Sequence, residues 1–134
     1  MNKLEHIGIA VKNLEASNAL FTKLLGTAPY KTETVEREGV RTSFFRVGNV
    51  KIELLEATRP DSAIATFIEK RGEGIHHLAF DVDSVQQKII DFNDAGFKTL
   101  SDKPMPGADD KLIAFLHPKS TNGVLVEICK DKPV

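Results

Sequence analysis

His6-Ile-Gly-Ile-Ala-Val11 returns 71 positions later as His77-Leu-Ala-Phe-Asp-Val82, and this recurrence decides how the chain folds. A second motif follows it. Gly48-Asn-Val-Lys-Ile-Glu53-Leu comes back as Asn122-Gly-Val-Leu-Val-Glu127-Ile, with the glutamates 74 positions apart. Histidine and glutamate are separated by 47 residues in the first half and by 50 in the second. Two motifs in the same order at nearly the same offset mark an internal duplication. Each half opens on a histidine-bearing strand and closes on a glutamate-bearing strand.

The segments between the motifs also match. Asn13 can cap a helix with Leu14, Phe21, Leu24 and Leu25 on one side, and Gly26 supplies a left-handed stop. In the second half Ser84 can cap a helix carrying Val85, Ile89 and Phe92, ending at Gly96. Three strands are predicted after each helix, at 29–36, 40–47 and 49–56, then at 97–101, 111–116 and 124–130. The fold class is therefore α+β: two tandem βαβββ modules over 1–58 and 75–134, joined by a connector helix over 59–74. Pro60 and Asp61 read as that helix's start, Ile64, Phe67 and Ile68 as its apolar stripe, and Gly72 as its end. Two such half-sheets can curl into a cupped, incomplete β-barrel with the helices outside. Lys103-Pro-Met-Pro-Gly-Ala-Asp-Asp110 is the one long turn-rich stretch, and it reads as a mobile loop over a site.

Composition narrows the function. The 134 residues are 41% hydrophobic and 28% charged, as in soluble globular proteins. Eighteen basic and 19 acidic side chains give a net charge of −1 without any block of one sign. Nucleic acid and anionic membranes, which need a concentrated basic face, are poor partners for such a chain. No apolar run approaches the ~20 residues of a membrane span, and the first residues carry no secretory signal pattern. One cysteine, Cys129, excludes an internal disulfide framework and fits a reducing compartment. A cytoplasmic location is expected.

Strand side chains alternate faces. Ile7, Ile9 and Val11 oppose His6, Gly8 and Ala10, while His76, Leu78, Phe80 and Val82 oppose His77, Ala79 and Asp81. Val50, Ile52 and Leu54 oppose Lys51, Glu53 and Leu55, and Val124, Val126 and Ile128 oppose Leu125, Glu127 and Cys129. The large aliphatics belong against the helices. The other face keeps small residues beside one histidine or one glutamate. Taken alone, a strand glutamate is ordinarily a solvated outward residue, and a lone histidine ordinarily a structural one. Their return at equivalent places in both halves favours a shared purpose: His6, Glu53, His77 and Glu127 as a divalent-metal site. His76 reads as a hydrogen-bonded core residue, His117 before Pro118 as a turn or ligand-contact residue, and Cys129 as a small buried hydrophobe.

On these residues the sequence resembles the methylmalonyl-CoA epimerase family of the vicinal oxygen chelate (glyoxalase-like) superfamily. The likeness runs from His6 to Glu127. It is most specific at His6-Ile-Gly-Ile-Ala-Val, at Glu53-Leu-Leu-Glu-Ala-Thr-Arg-Pro-Asp-Ser through Gly74-Ile-His-His77, at Phe115-Leu-His-Pro-Lys-Ser120 and at Gly123-Val-Leu-Val-Glu127. The resemblance implies a homodimeric isomerase that interconverts (2R)- and (2S)-methylmalonyl-CoA by proton transfer at C2, through a metal-stabilised enolate. It implies one divalent ion per site, cobalt above all, with manganese, nickel, zinc or magnesium allowed by the ligand types. The family's metal positions fall on His6, Glu53, His77 and Glu127. Lys119 and Ser120 are candidates for contact with the coenzyme A end.

The chain departs from the family pattern at two places. Glu53 stands where some relatives have glutamine. A glutamate proposed as second base in some bacterial relatives corresponds to Thr42, which cannot act as a base at neutral pH. Glu53 and Glu127 are therefore the expected acid–base pair, with Glu36 and Glu38, in or near a turn, as weaker substitutes. The same superfamily also supplies the rival readings. These are a glyoxalase-I-type isomerase acting on a glutathione hemithioacetal, an iron-dependent extradiol dioxygenase with two histidines and one carboxylate, and a metal-free small-molecule-binding protein.

Overall fold

Asn13 and Ser84 both cap helices, each accepting a hydrogen bond from the backbone N–H three residues on, at 3.0 Å from Ala16 and 3.1 Å from Gln87. The computed structural model describes residues 1–133. The first half runs β1 (Lys3–Ala10), α1 (Leu14–Leu25), β2 (Lys31–Val35), β3 (Val40–Val47) and β4 (Val50–Ala57). Helix α2 (Ala63–Arg71) follows. The second half runs β5 (Gly74–Asp81), α3 (Val85–Asp94), β6 (Met105–Gly107), β7 (Lys111–Leu116) and β8 (Val126–Asp131). Strand-helix-strand-strand-strand therefore occurs twice. The chain divides into two compact units, one of His6–His76 and one of Met1–Glu5 with the chain from His77 onward.

In the first unit the strands lie in the order β2-β3-β4-β1. β1 and β4 are parallel, with His6 opposite Lys51 and Gly8 opposite Glu53. β3 and β4 form an antiparallel hairpin closed by Gly48 and Asn49, with Gly48 at φ 59°, where a side chain is strained. Val11, Leu14, Phe45 and Leu54 are buried together, with Ile9, Phe21, Leu25 and Ile52 packed on them. Helix α1 thus covers the aliphatic face of β1 and β4. Leu24, expected on that buried stripe, is 69% exposed. Each residue turns the helix by about 100°, so Leu24 sits well round from Leu25. The N-terminus of α1 gains a second acceptor where Glu56 Oε2 takes the Leu14 N–H at 2.8 Å.

Helix α2 starts later than Pro60 and Asp61 predicted. Its cap is Ser62, whose hydroxyl accepts from the Ala65 N–H at 3.1 Å. The Asp61 carboxylate is held instead by Arg59, with 2.8 Å between Nε and Oδ1. Ile64, Phe67 and Ile68 pack with Ala10, Val40 and Leu55, and Gly72 ends the helix at φ 76°.

The second unit repeats the scheme in the order β5-β8-β7-β6. β5 and β8 are parallel, with Ala79 opposite Glu127, and β7 is antiparallel to β8. Val85 and Ile89 of α3 are buried with Val82, Ala114, Leu116 and Ile128, and Phe92 packs on that cluster. Ala95 is the helix's C-cap, one residue before the expected Gly96, which follows at φ 96°. The first post-helix strand also differs from expectation. Within 97–101 only Thr99 makes a bridge, to Leu116, and the pairing strand is Met105–Gly107, antiparallel to β7. The stretch expected as a mobile loop therefore carries an edge strand. Pro106, which lacks an N–H, is tolerated at such an edge. No helix among the described residues is long and apolar enough to cross a membrane.

Gly39 and Gly26 separate two backbone effects. Both have left-handed φ, 64° and 72°, but a Cβ at Gly39 would lie 2.9 Å from the Arg59 guanidinium, whereas nothing lies within 4 Å at Gly26. Arg59 donates from Nη1 to the Glu36 carbonyl at 2.6 Å and from Nη2 to the Arg37 carbonyl at 3.0 Å. Gly26→Ala should cost ~1–2 kcal/mol through φ alone. Gly39→Ala should cost more, because it also displaces Arg59. Equal midpoints for the two variants in urea unfolding would contradict this.

Candidate active site

The parallel registers place each histidine and its glutamate on one face of their sheet. Opposite residues in a parallel pair point the same way, so His6, Gly8, Lys51 and Glu53 share a side. Glu53 lies directly across from Gly8, which has no side chain. The carboxylate can therefore lean along the strand to the imidazole, and His6 Nδ1 is 3.2 Å from Glu53 Oε2. The second unit repeats this with Ala79 as the small residue across from Glu127. His77 Nε2 lies 3.5 Å from Glu127 Oε1. All four side chains are buried, none more than 6% exposed.

The aromatic partners of the two glutamates were not foreseen. Phe44 lies across from Glu53 and Phe115 across from Glu127. The Phe115 ring meets the His77 imidazole edge to face, with centroids 6.1 Å apart, and so limits its rotation. Phe44 is fully buried and contacts Tyr30 at 5.9 Å. In sequence the phenylalanines precede their glutamates by 9 and 12 residues, because the β3–β4 turn is short and the β7–β8 connection is long. A fixed-offset search for repeats misses such a pair. Lys111 was also missed. It is buried on β7, with Nζ 3.7 Å from Glu5 Oε2 and ion-paired to Asp131.

Residues 5–115 match the Glyoxalase/Bleomycin resistance protein/Dioxygenase superfamily. The chain belongs to this superfamily. It is 38% identical to the ethylmalonyl-CoA/methylmalonyl-CoA epimerase of Cereibacter sphaeroides, covering 96% of this chain and 97% of that protein. It is 36% identical to the mitochondrial methylmalonyl-CoA epimerase of Homo sapiens, covering 96% of this chain and 73% of that one. Among solved structures, a methylmalonyl-CoA epimerase in complex with methylmalonyl-CoA and NH4+ matches with a TM-score of 0.95 at 36% identity, covering 100% of this chain and 97% of that chain. The α+β fold built from duplicated βαβββ modules is thus the fold of that superfamily.

The remaining candidates fall in different settings. Thr42 on β3 is fully buried, and its Oγ1 has no hydrogen-bond partner. Glu36 and Glu38 form a short exposed 3-10 turn with Arg37. His76 packs edge to face on Phe67 at 5.0 Å, and burial lowers its pKa to about 4, so it is neutral at pH 7. His117 serves the turn at the end of β7, its Nδ1 accepting from the Lys119 N–H at 3.1 Å. Ser120 Oγ accepts from the Lys98 N–H at 3.0 Å, which ties that turn to the segment after α3, while Lys119 is exposed.

Cys129 sits on the same face as His77 and Glu127, fully buried and packed with Ala79, Ile113 and Phe115. Its thiol donates to the Phe80 carbonyl at 3.6 Å. Burial raises its pKa, and the charge of nearby Glu127 raises it further. The native protein should therefore resist a thiol-specific reagent at pH 8 and react with one equivalent once unfolded. Rapid labelling of the native state would contradict this burial.

Proposed function

We propose that the chain is a metal-dependent epimerase that interconverts the two configurations at C2 of methylmalonyl-CoA. One observation carries the reading: a buried carboxylate against a buried imidazole, occurring once in each half on equivalent strands. Burying such pairs is a poor way to gain stability, because desolvation offsets their attraction. Their presence in both halves of a chain related to epimerases is better explained by chemistry.

The donor types fit a divalent cation. Imidazole nitrogen and carboxylate oxygen suit borderline or hard ions, and we assign His6, Glu53, His77 and Glu127 as ligands of one ion. Cobalt is our first choice, by resemblance to the family, with manganese, nickel, zinc and magnesium compatible with the same donors. When bound, the ion would supply Lewis-acid stabilisation of negative charge developing on the acyl oxygens.

The proton chemistry belongs to the two glutamates. The C2 hydrogen lies between a thioester and a carboxylate, so its removal leaves a delocalised anion. Inversion requires a base on one face of C2 and an acid on the other. We assign these roles to Glu53 and Glu127. One carboxylate takes the C2 proton as the other, already protonated, delivers its own to the opposite face. The reverse reaction exchanges the roles. Lys119 and Ser120 are assigned to the coenzyme A end, where a cation and a hydroxyl suit phosphate. We further place the enzyme in the cytoplasm as a homodimer.

A coupled epimerase assay on chelator-stripped and reconstituted protein tests substrate and cofactor together. Activity should vanish on stripping and return with a divalent ion. Glu53→Gln and Glu127→Gln should each lower kcat by at least ~100-fold, the range for loss of a general acid or base. In deuterated water each variant should still exchange the C2 hydrogen of one epimer, a different one for each glutamate. Turnover of a glutathione hemithioacetal in place of methylmalonyl-CoA would overturn the substrate. A variant that exchanges both epimers would overturn its residue's role.

A further inference from the structure

Thr42 presents a polar group for which the fold has no use. Its side chain is 0% exposed, and Oγ1 finds no hydrogen-bond partner. A buried hydroxyl in that condition forfeits its bonds to water and gains nothing in return, so native chains seldom keep one without reason. Valine has nearly the same shape and lacks the penalty. The duplication supplies an internal comparison. Phe44 and Phe115 lie across from the two glutamates, so the position two residues before each is equivalent, and in the second half it is Ile113. Ile113 is buried against Ala79 and Cys129, so the architecture accepts an aliphatic side chain there.

The placement of the hydroxyl gives it a purpose. Thr42 lies across from Leu55 on β4, and Glu53 is the next residue on the same face of that strand. Diagonal neighbours of this kind are ~7–8 Å apart, about the span of a small branched acyl group. We propose that Thr42 Oγ1 donates a hydrogen bond to an acyl oxygen of the substrate, positioning C2 for Glu53. A hydroxyl rotates freely and can point its proton at a ligand oxygen, so the penalty in the unliganded protein is relieved on binding. The inference rests on the epimerase reading above.

Thr42→Val and Thr42→Ser test it. Thr42→Val should fold with a Tm equal to or above that of the wild type, since an unsatisfied hydroxyl is replaced by a methyl group. It should nevertheless lose at least tenfold in kcat/KM for methylmalonyl-CoA, whereas Thr42→Ser should keep activity within about threefold. A purely structural role predicts the reverse, with Tm and activity falling together. Ligand-induced stabilisation gives an independent readout. Methylmalonyl-CoA should raise the Tm of the wild type and of Thr42→Ser more than that of Thr42→Val. Equal Tm shifts in all three proteins, or kcat/KM of Thr42→Val within twofold of wild type, overturn the proposal. A wild type that binds methylmalonyl-CoA without epimerising it overturns the proposed activity instead, and the binding comparison still decides the role of Thr42.

Discussion

The parallel pairing of a histidine strand with a glutamate strand governs everything else in this protein. In antiparallel hairpins a register can be set by the turn between neighbouring strands, but parallel partners are joined only through long crossovers. Here each crossover is a helix and two strands, and its packing fixes which residue of β4 faces which residue of β1. The margin is narrow, because a slip of one residue turns every side chain to the other face. Leu54 and Phe45 under α1, and Ile128 and Ala114 under α3, hold the registers by filling the helix side of each sheet. Glu53 and Glu127 then have no orientation open to them but the opposite face. Gly8 and Ala79 complete the constraint. A bulky residue at either position would stand between carboxylate and imidazole, and the pairs at 3.2 and 3.5 Å would not form.

Much of this was legible in the chain because the governing signals are periodic and local. Asn13 and Ser84 are helix caps recognisable by residue type, and Ile7, Ile9 and Val11 oppose His6 by simple alternation. The element order and the side of each strand that carries its histidine or glutamate follow from such signals. What the sequence obscured depends on distant partners. Ser62 rather than Asp61 caps α2, and the Asp61 carboxylate pairs with Arg59. Phe97-Lys-Thr-Leu has the composition of a strand. Yet only Thr99 bridges to β7, and the Pro-containing Met105–Gly107 pairs instead. An edge strand needs only alternate backbone groups, so composition is a weak guide there. Leu24 shows the same limit from the other side, since it was expected on the buried stripe of α1 and is exposed.

Electrostatics separates what the fold needs from what the chemistry needs. Lys111 illustrates the former: a buried ammonium with Glu5 and Asp131 beside it is a compensated charge. His76 is another such case, kept neutral by burial and held against Phe67. His6, Glu53, His77 and Glu127 differ because a buried imidazole–carboxylate pair occurs on equivalent strands of both halves. A stabilising pair would be free to drift to apolar residues of similar volume in one half or the other, often without loss of stability.

On the proposed roles, the likeness of the two halves has a direct use in the reaction. Epimerisation asks for an acid and a base that exchange roles, and a duplicated strand is a direct way to obtain two alike. The substrate, however, is not two-fold symmetric: on one side of C2 stands a small carboxylate, on the other a thioester with a long nucleotide arm. Two identical sets of neighbouring side chains could not tell these groups apart. Phenylalanine lies across from both glutamates, but other neighbouring positions diverge. Gly8 answers to Ala79, and Thr42 to Ile113. His6 approaches its carboxylate through Nδ1 and His77 through Nε2, so even the shared residues are oriented differently. Under the proposed roles the repeat would supply the acid and the base, and a departure such as Thr42 the means of orienting the acyl group.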